Sequence, residues 1–295
     1  MRHRWLFMAA LAWTACSSDL VSPTNPGMSE EAVLIGAGDI GVCGSPNTAA
    51  TARLLDGLPG TVFTAGDLAY PDGTTEQFAD CYHPTWGRHK ERTRPAPGNH
   101  EYFTAGASPY FGYFGFLAGP PGLGYYRYRA GAWQVYSLNS NISDGSQLQW
   151  LRREIGSQPS ACSVAYFHHP LVSSGPHGVM PPAAPVRDLW FELYEAGADI
   201  IVSAHEHFYE RFAPQTPDRQ LDAQFGIRQF IVGTGGALLT QPVRRMPNSE
   251  ALISTSYGVL RLTLEPQSYR WEFIAVGGGV ADSGTGLCHG KPDRP

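Results

Sequence analysis

The chain has 295 residues, 42% of them apolar and 16% charged, enough to bury one large core or two small ones and too apolar for a disordered chain. With 34 glycines and 24 prolines, it is richer in turn formers than a helical bundle tolerates. A formal charge of -5 offers no broad basic surface for nucleic acid.

At the N-terminus, Arg2 and Arg4 precede an apolar stretch from Trp5 to Ala15 that is too short to span a bilayer, the pattern of an export signal. Thr14 and Ala15 before Cys16 resemble a bacterial lipoprotein cleavage site, where the mature chain begins at a lipidated cysteine. Trp13 is unusual there, and ordinary secretion to the periplasm or outside the cell is the alternative. The expected organisation is a leader over 1–15, a Ser-, Pro-, Asn- and Gly-containing tether over 16–29, and one domain over 30–290, held to the membrane if Cys16 carries lipid. Cys43, Cys81, Cys162 and Cys288 then remain, which suits two disulfides in an oxidising compartment; four free thiols are the alternative. Of the three pairings, Cys43 with Cys81 and Cys162 with Cys288 is favoured, because the first two lie in loops after neighbouring strands and the last pins the C-terminal tail.

Along the chain, Ala32–Ala37 reads as a buried strand, followed by a helix capped by Ser45, with Pro46 in its first turn, running to Asp56. Thr61–Ala65 is the next strand, and proline confines Arg94–Pro97 to an edge or a strand end. Tyr125–Tyr128 and Trp133–Leu138 read as a hairpin, Gln147–Ile155 as a helix, Cys162–Phe167 as a strand, Val186–Ala196 as a helix and Asp199–Ser203 as a strand. Gln229–Val232, Val259–Leu264 and Tyr269–Ile274 complete the strands. The order predicts an α/β fold with a mixed sheet and more than one sheet, without internal repeats.

Nearly every chemically interesting residue follows one of these runs, and in open α/β sheets ligands collect outside the carboxyl ends of the strands. The candidates are Asp39 in GAGDIG, Asp67 and Tyr70 in AGDLAY, Asn99 and His100 in PGNHE, His168 in YFHHP, and His205 and His207 in SAHEHFYER. Singly, each has a bland reading: a turn or helix cap for Gly-Asp, a loop for Asn-His, a surface pair for His-x-His. On a strand, His-x-His would turn both imidazoles to one face. The ordered set supplies oxygen and nitrogen donors, with a carboxylate able to bridge two close metal ions.

This motif order resembles the calcineurin-like metallophosphoesterase superfamily, and within it the purple acid phosphatases, from Ala32 to Arg211. The resemblance implies a sandwich of two mixed β-sheets flanked by helices. It also implies a first metal held by Asp39, Tyr70 and His207, a bridging Asp67, and a second metal held by Asn99, His168 and His205. His168 is preferred over His169 because the family ligand stands two residues before a proline, as His168 stands before Pro170; alternation would turn His169 to the opposite face. His100, and by a weaker match His177, would contact the phosphate or protonate the leaving alcohol. Asp72 fits either a carboxylate that orients a histidine or a turn residue. Where many members carry GDxH this chain has Gly41, and Tyr70 supplies the missing donor; a phenolate favours ferric iron, with a divalent Fe, Zn or Mn in the second site.

The implied activity is hydrolysis of a phosphomonoester, with a small phosphate ester as partner. A phosphodiester cleaved at the same site, and a surface lipoprotein that binds a phosphorylated ligand without turnover, are the alternatives. His83, His89 and His289 read as loop or surface residues. The aromatic stretch Tyr102–Phe116 reads as a substrate mouth or a loop packed on the core, and Gly233–Gly236 as a tight turn or a close approach to an anion.

Overall fold

Uninterrupted apolar runs suit strands covered on both faces, and these runs become the centre of two sheets. A computed structural model describes residues 31–157, 160–179 and 184–291, so the expected leader and tether lie outside the described residues. The strands are β1 (Ala32–Ala37), β2 (Thr61–Ala65), β3 (Thr93–Ala96), β4 (Tyr126–Ala130), β5 (Trp133–Ser137), β6 (Ser163–Tyr166), β7 (Ile200–Ser203), β8 (Tyr209–Phe212), β9 (Arg228–Val232), β10 (Ser249–Ile253), β11 (Gly258–Leu264), β12 (Ser268–Ala275) and β13 (Val280–Leu287).

One sheet has the order β13-β12-β11-β1-β2-β3 and the other β10-β8-β9-β7-β6-β5-β4. Parallel pairing joins β1, β2 and β3 in the first and β5, β6, β7 and β9 in the second. Antiparallel strands complete both, so the chain forms a sandwich of two mixed sheets. Side-chain alternation assigns the faces. Val164, Tyr166, Ile200 and Val202 join the core between the sheets with Leu34 and Val62. Ala165, Phe167 and Ile201 point the other way, beneath the helices Ser146–Ser157 and Ala184–Glu195, against Leu151, Leu189, Trp190 and Leu193.

The helix Pro46–Asp56 starts as expected, with the Ser45 hydroxyl accepting from the Asn47 N–H. Pro95 lies in β3, an edge strand, and its carbonyl accepts from the hydroxyls of Tyr110, Tyr126 and Ser137. Cys43 is bonded to Cys81 and Cys162 to Cys288, the favoured pairing, which suggests a non-cytosolic compartment. No helix among the described residues is long and apolar enough to cross a membrane.

Three strands lie outside the sequence reading. β13 (VADSGTGL) is built of small and polar residues without an apolar run, and β8 and β10 are short and follow loops. β13 is nonetheless anchored. Its Asp282 accepts from the Tyr209 hydroxyl (2.6 Å), the Arg211 Nε (2.8 Å) and the Trp271 Nε1 (3.0 Å). Arg211 of β8 and Arg228 of β9 each sit 4.8 Å from the Trp271 ring on β12, so cations of one sheet grip an indole of the other. The tyrosine and arginine of the YER sequence are therefore structural.

Removing the Asp282 carboxylate takes the acceptor from the Tyr209 hydroxyl, the Trp271 N–H and two N–H groups of Arg211. Asp282→Ala should lower the unfolding free energy by about 3 kcal/mol in urea titrations, with partial recovery in Asp282→Asn. A loss within experimental error for Asp282→Ala would show that the clamp contributes nothing.

Candidate metal centre

Five strand ends build one rim. Asp39 and Asp67 stand two residues beyond β1 and β2, Asn99 three beyond β3, and His168 and His205 two beyond β6 and β7. Because those strands run parallel within each sheet, their carboxyl ends open toward the same end of the sandwich. Asp39, Asp67 and His205 all take the left-handed backbone, with φ of 57°, 54° and 71°, which costs on the order of 1 kcal/mol at each. Hydrogen bonds past the strand ends offset that cost: Asp39 N–H to Gly66, Ile40 N–H to Asp67 and Gly41 N–H to Leu68, at 3.0, 2.8 and 2.9 Å.

The donors meet closely. The Tyr70 hydroxyl is 2.7 Å from Asp39 Oδ1, 3.1 Å from Asp67 Oδ2 and 3.2 Å from His207 Nε2. His207 Nε2 is 3.3 Å from Asp39 Oδ1, and Asp67 Oδ2 lies 3.1 Å from His168 Nε2. His205 Nδ1 is 3.1 Å from His168 Nε2. Asn99 Oδ1 is buried with no hydrogen-bond partner among the described residues. Six of the seven residues expected from the sequence thus meet here, and the seventh, Asn99, lies between Gly98 and His100, whose N–H donates to Asp67 Oδ1 (2.9 Å).

Backbone carbonyls set three tautomers. His168 Nδ1 faces Ala65 O (2.9 Å), His207 Nδ1 faces Leu238 O (2.8 Å) and His100 Nδ1 faces Pro71 O (2.5 Å). A carbonyl only accepts, so each Nδ1 carries a proton, and Nε2 is the ring nitrogen turned toward the cluster. Imidazoles oriented in this way are prepared to ligate.

The electrostatics call for positive charge. Burial works against the Asp39 carboxylate, but the His207 and His168 imidazoles and the Tyr70 hydroxyl outweigh it and hold the group well below the usual carboxylate range. Burial pulls His168 and His207 down, yet the two carboxylates overcome it and lift each to about 9. Burial and the neighbouring imidazoles drop His205 to about 2. For Tyr70, burial followed by Asp39 and Asp67 pushes the phenol far above its ordinary value. Protons on His168 and His207 here neutralise what cations would. Two buried carboxylates, three imidazoles and a phenol linked by contacts of 2.7 to 3.3 Å are therefore a set of donors suited to metal ions.

His100 and His177 flank this cluster. The His100 ring stacks 4.4 Å from Tyr70, its N–H donates to Asp67 Oδ1 (2.9 Å), and the exposed Phe103 ring stands 4.7 Å away. The His177 ring lies 4.3 Å from that of His205, and its N–H donates to the Glu206 carboxylate (2.7 Å).

Two sequence expectations need correction, and the alternatives left open at Asp72, Gly233–Gly236 and Tyr102–Phe116 are narrowed. His-x-His is not on a strand: it occupies the bend between β7 and β8, and the left-handed His205 brings both rings to the cluster while Glu206 turns toward His177. His169 does not face away, because β6 ends at Tyr166 and alternation stops there; its ring is 4.6 Å from His205 and its Nδ1 is 2.8 Å from Ser140 Oγ. Asp72 orients no histidine. It is an exposed turn residue, and the neighbouring Pro71 carbonyl takes that role for His100. Gly233–Gly236 packs beneath the Asp39 loop; a Cβ on Gly233 would come 2.5 Å from Asp39 Oδ2 and 2.1 Å from Glu206 O. The aromatic stretch divides, with Tyr110 and Phe114 buried and Phe103 and Phe116 exposed. His83, His89 and His289 pair elsewhere, with Tyr113, Asp56 and Asp199.

Sequence reasoning missed three buried glutamates. Glu101 accepts from the N–H groups of Asp67, Leu68, Ala69 and Gly98, at 3.0, 2.8, 3.3 and 2.7 Å, joining the loops after β2 and β3. Glu206 holds the N–H groups of His177 and Gly178, and Glu210 holds the N–H and hydroxyl of Ser174. The available signal was position: each is an acid inside a ligand motif, beside an apolar run.

The fold is shared with solved proteins. A purple acid phosphatase from yellow lupin (Lupinus luteus) seeds superposes with a TM-score of 0.74 at 19% identity, over 88% of this chain and 54% of the lupin chain, so the present chain spans about half of that protein. GAP50, the anchor in the inner membrane complex of Plasmodium, gives 0.67 at 12% identity over 90% of each chain. A dimetal phosphatase from Danio rerio gives 0.60 at 12% identity, over 87% of this chain and 98% of the other. No curated protein sequence matches the chain. The sequence profile of the calcineurin-like phosphoesterases matches residues 33–209, three-fifths of the chain and every motif up to His207, and the protein belongs to that family.

Proposed function

We propose that this protein is a dinuclear metal-dependent phosphatase that hydrolyses phosphomonoesters. The observation that carries the reading is the division of the donors into two groups around one carboxylate. Asp39, Tyr70 and His207 lie within 3.3 Å of one another and would hold the first ion. His168 and His205, with Asn99, would hold the second. Asp67 Oδ2 stands 3.1 Å from both Tyr70 and His168, where a bridging ligand belongs. When bound, the ions supply Lewis-acid activation of water and neutralise charge on the phosphoryl group.

The chain's own residues supply orientation and protons. His100 rests its Nδ1–H on the Pro71 carbonyl and presents Nε2, the atom that would carry a proton to the leaving oxygen. His177, anchored through Glu206, stands over the His205 side while His100 stands over the Tyr70 side. Two flanking imidazoles match the several terminal oxygens of a monoester better than a diester with fewer. Tyr70 favours a trivalent first ion, since a small, highly charged cation best displaces the proton of so acid-resistant a phenol; ferric iron is the proposed occupant, with a divalent Fe, Zn or Mn beside it. Residues 1–15 would act as leader and 16–29 as tether, with Cys16 as the proposed lipid site.

Elemental analysis of purified protein should find two ions per chain, with a visible phenolate-to-iron band that disappears in Tyr70→Phe; a band that persists in the variant would remove Tyr70 from the site. Paired assays should give a higher kcat/KM on a monoester than on its diester. His100→Ala should cut kcat by about 10²- to 10⁴-fold on alkyl phosphates and far less on nitrophenyl phosphate, whose leaving group needs no proton. Equal losses on both would argue against proton donation. Glu101→Gln should weaken metal affinity by roughly 10- to 100-fold with the fold retained by circular dichroism, because the loops carrying Asp67 and Asn99 lose a shared acceptor. Unchanged affinity would show that those loops hold themselves.

A further inference from the structure

A second concentration of chemistry lies away from the ligand cluster. A cavity of about 760 Å³ is lined by Arg219, Arg244 and Arg245, with Val172, Leu221 and Met246 as its apolar part. Its size is that of a site for a small organic molecule. Arg245 donates to the carbonyls of Ser249 and Glu250, which fixes its guanidinium. Among the described residues, no carboxylate lies within ion-pair range of Arg219 or Arg244. The acid that lines the cavity, Asp218, is 3.9 Å from Arg187. The two guanidinium groups therefore stand beside apolar surface with no carboxylate to neutralise them, in a chain of net charge -5.

The backbone separates this place from an ordinary loop. Six described residues other than glycine have positive φ; Asp39, Asp67 and His205 belong to the proposed metal centre, and Arg219 and Asn248, both at 65°, line this cavity. The Asn248 side chain donates to the Arg219 carbonyl at 3.1 Å and ties the two together. Left-handed backbone suits asparagine and is uncommon for arginine.

The cavity is also wired to the cluster. Segment 238–248 begins at the proposed centre, where Leu238 O meets His207 Nδ1 and the Thr240 N–H donates to His207 O (3.0 Å). It then crosses Ser174, whose carbonyl accepts from the Val243 and Arg244 N–H groups (2.8 and 3.2 Å) and whose hydroxyl accepts from the Met246 N–H (3.0 Å). Ser174 stands three residues before His177 on the same loop.

We infer that this cavity binds a small organic anion, a carboxylate or phosphate carried on an apolar body, with Arg219 and Arg244 receiving the anionic group. Paired guanidinium groups match the oxygens of either anion, and Val172, Leu221 and Met246 receive the body. The anion is either the far end of the hydrolysed ester or a separate effector, and both use the same contacts. Binding itself does not depend on the phosphatase reading.

The full chain titrated with 8-anilinonaphthalene-1-sulfonate, a fluorescent aryl anion, tests the inference. Saturable binding at one site per chain is expected, weakened by roughly tenfold or more in R219N/R244Q, in which asparagine keeps the left-handed backbone. Arg53→Gln, which removes an exposed cation on the helix Pro46–Asp56 away from the cavity, should bind as the parent does. Absence of saturable binding, equal binding by the double variant, or an equal loss in Arg53→Gln would overturn the site. Turnover then separates the sources. A preference for the phosphate ester of 6-hydroxyhexanoate over hexyl phosphate, lost in R219N/R244Q, identifies the far end of a substrate; a probe-dependent change in hexyl phosphate turnover, absent from the double variant, identifies an effector. If no ester is hydrolysed, the binding result still stands or falls alone.

Discussion

Two carboxylates, Asp39 and Asp67, are buried within about a hydrogen-bond length of the same phenol oxygen, and the rim of the sandwich is organised around compensating them. Burial on its own disfavours the charged Asp39 carboxylate. Instead, imidazoles from the opposite sheet are drawn to high proton affinity, while His205, next to those rings and less favoured by the acids, is driven the other way. Such a division is unstable as permanent architecture. Positive charge held by two metal ions would satisfy the same carboxylates, free all three imidazole lone pairs and engage the Asn99 oxygen that otherwise lacks a partner.

Holding like charges together requires a frame that does not relax, and the frame is made of backbone. The parallel strands deliver Asp39, Asp67 and Asn99 from one sheet and His168 and His205 from the other. Left-handed turns then aim three of these side chains inward. Glu101 locks two of the loops by accepting four backbone N–H groups, and close contacts keep the spacing: a Cβ on Gly98 would fall 2.1 Å from Asp67 Oδ1. The same device recurs at Glu206 and Glu210, which bind the loop that carries His177. Buried carboxylates thus serve twice, as proposed ligands and as staples for the loops that bear ligands.

The cluster of candidate donors was legible because its motifs follow apolar runs, so strand prediction and motif order reinforced one another. Central strands and both long helices were read for the same reason: covered on two faces or amphipathic, they carry a period. β13 carries none, since Asp282 rather than an apolar run anchors it, and its partners Arg211 and Trp271 are remote in sequence. His169 was misread because strand alternation was extended past Tyr166, where β6 ends. The glutamates escaped because their partners are backbone N–H groups, which leave no trace in side-chain patterns.

Fold and activity separate among proteins of this shape. One protein of matching shape is described as an anchor and another as a dimetal phosphatase, at equal identity to this chain, so shape alone decides nothing about activity. What argues for chemistry here is that the costs of a metal site are all present together. Three left-handed ligand positions, two buried carboxylates and an amide oxygen without a partner each destabilise the fold. A scaffold retained only for binding would gain stability by losing any of them, for example by replacing Asp39 with a neutral residue that needs no imidazolium beside it. Their joint presence is what a site that recovers the loss by binding cations would require, and it is the physical ground for reading the rim as a working metal centre.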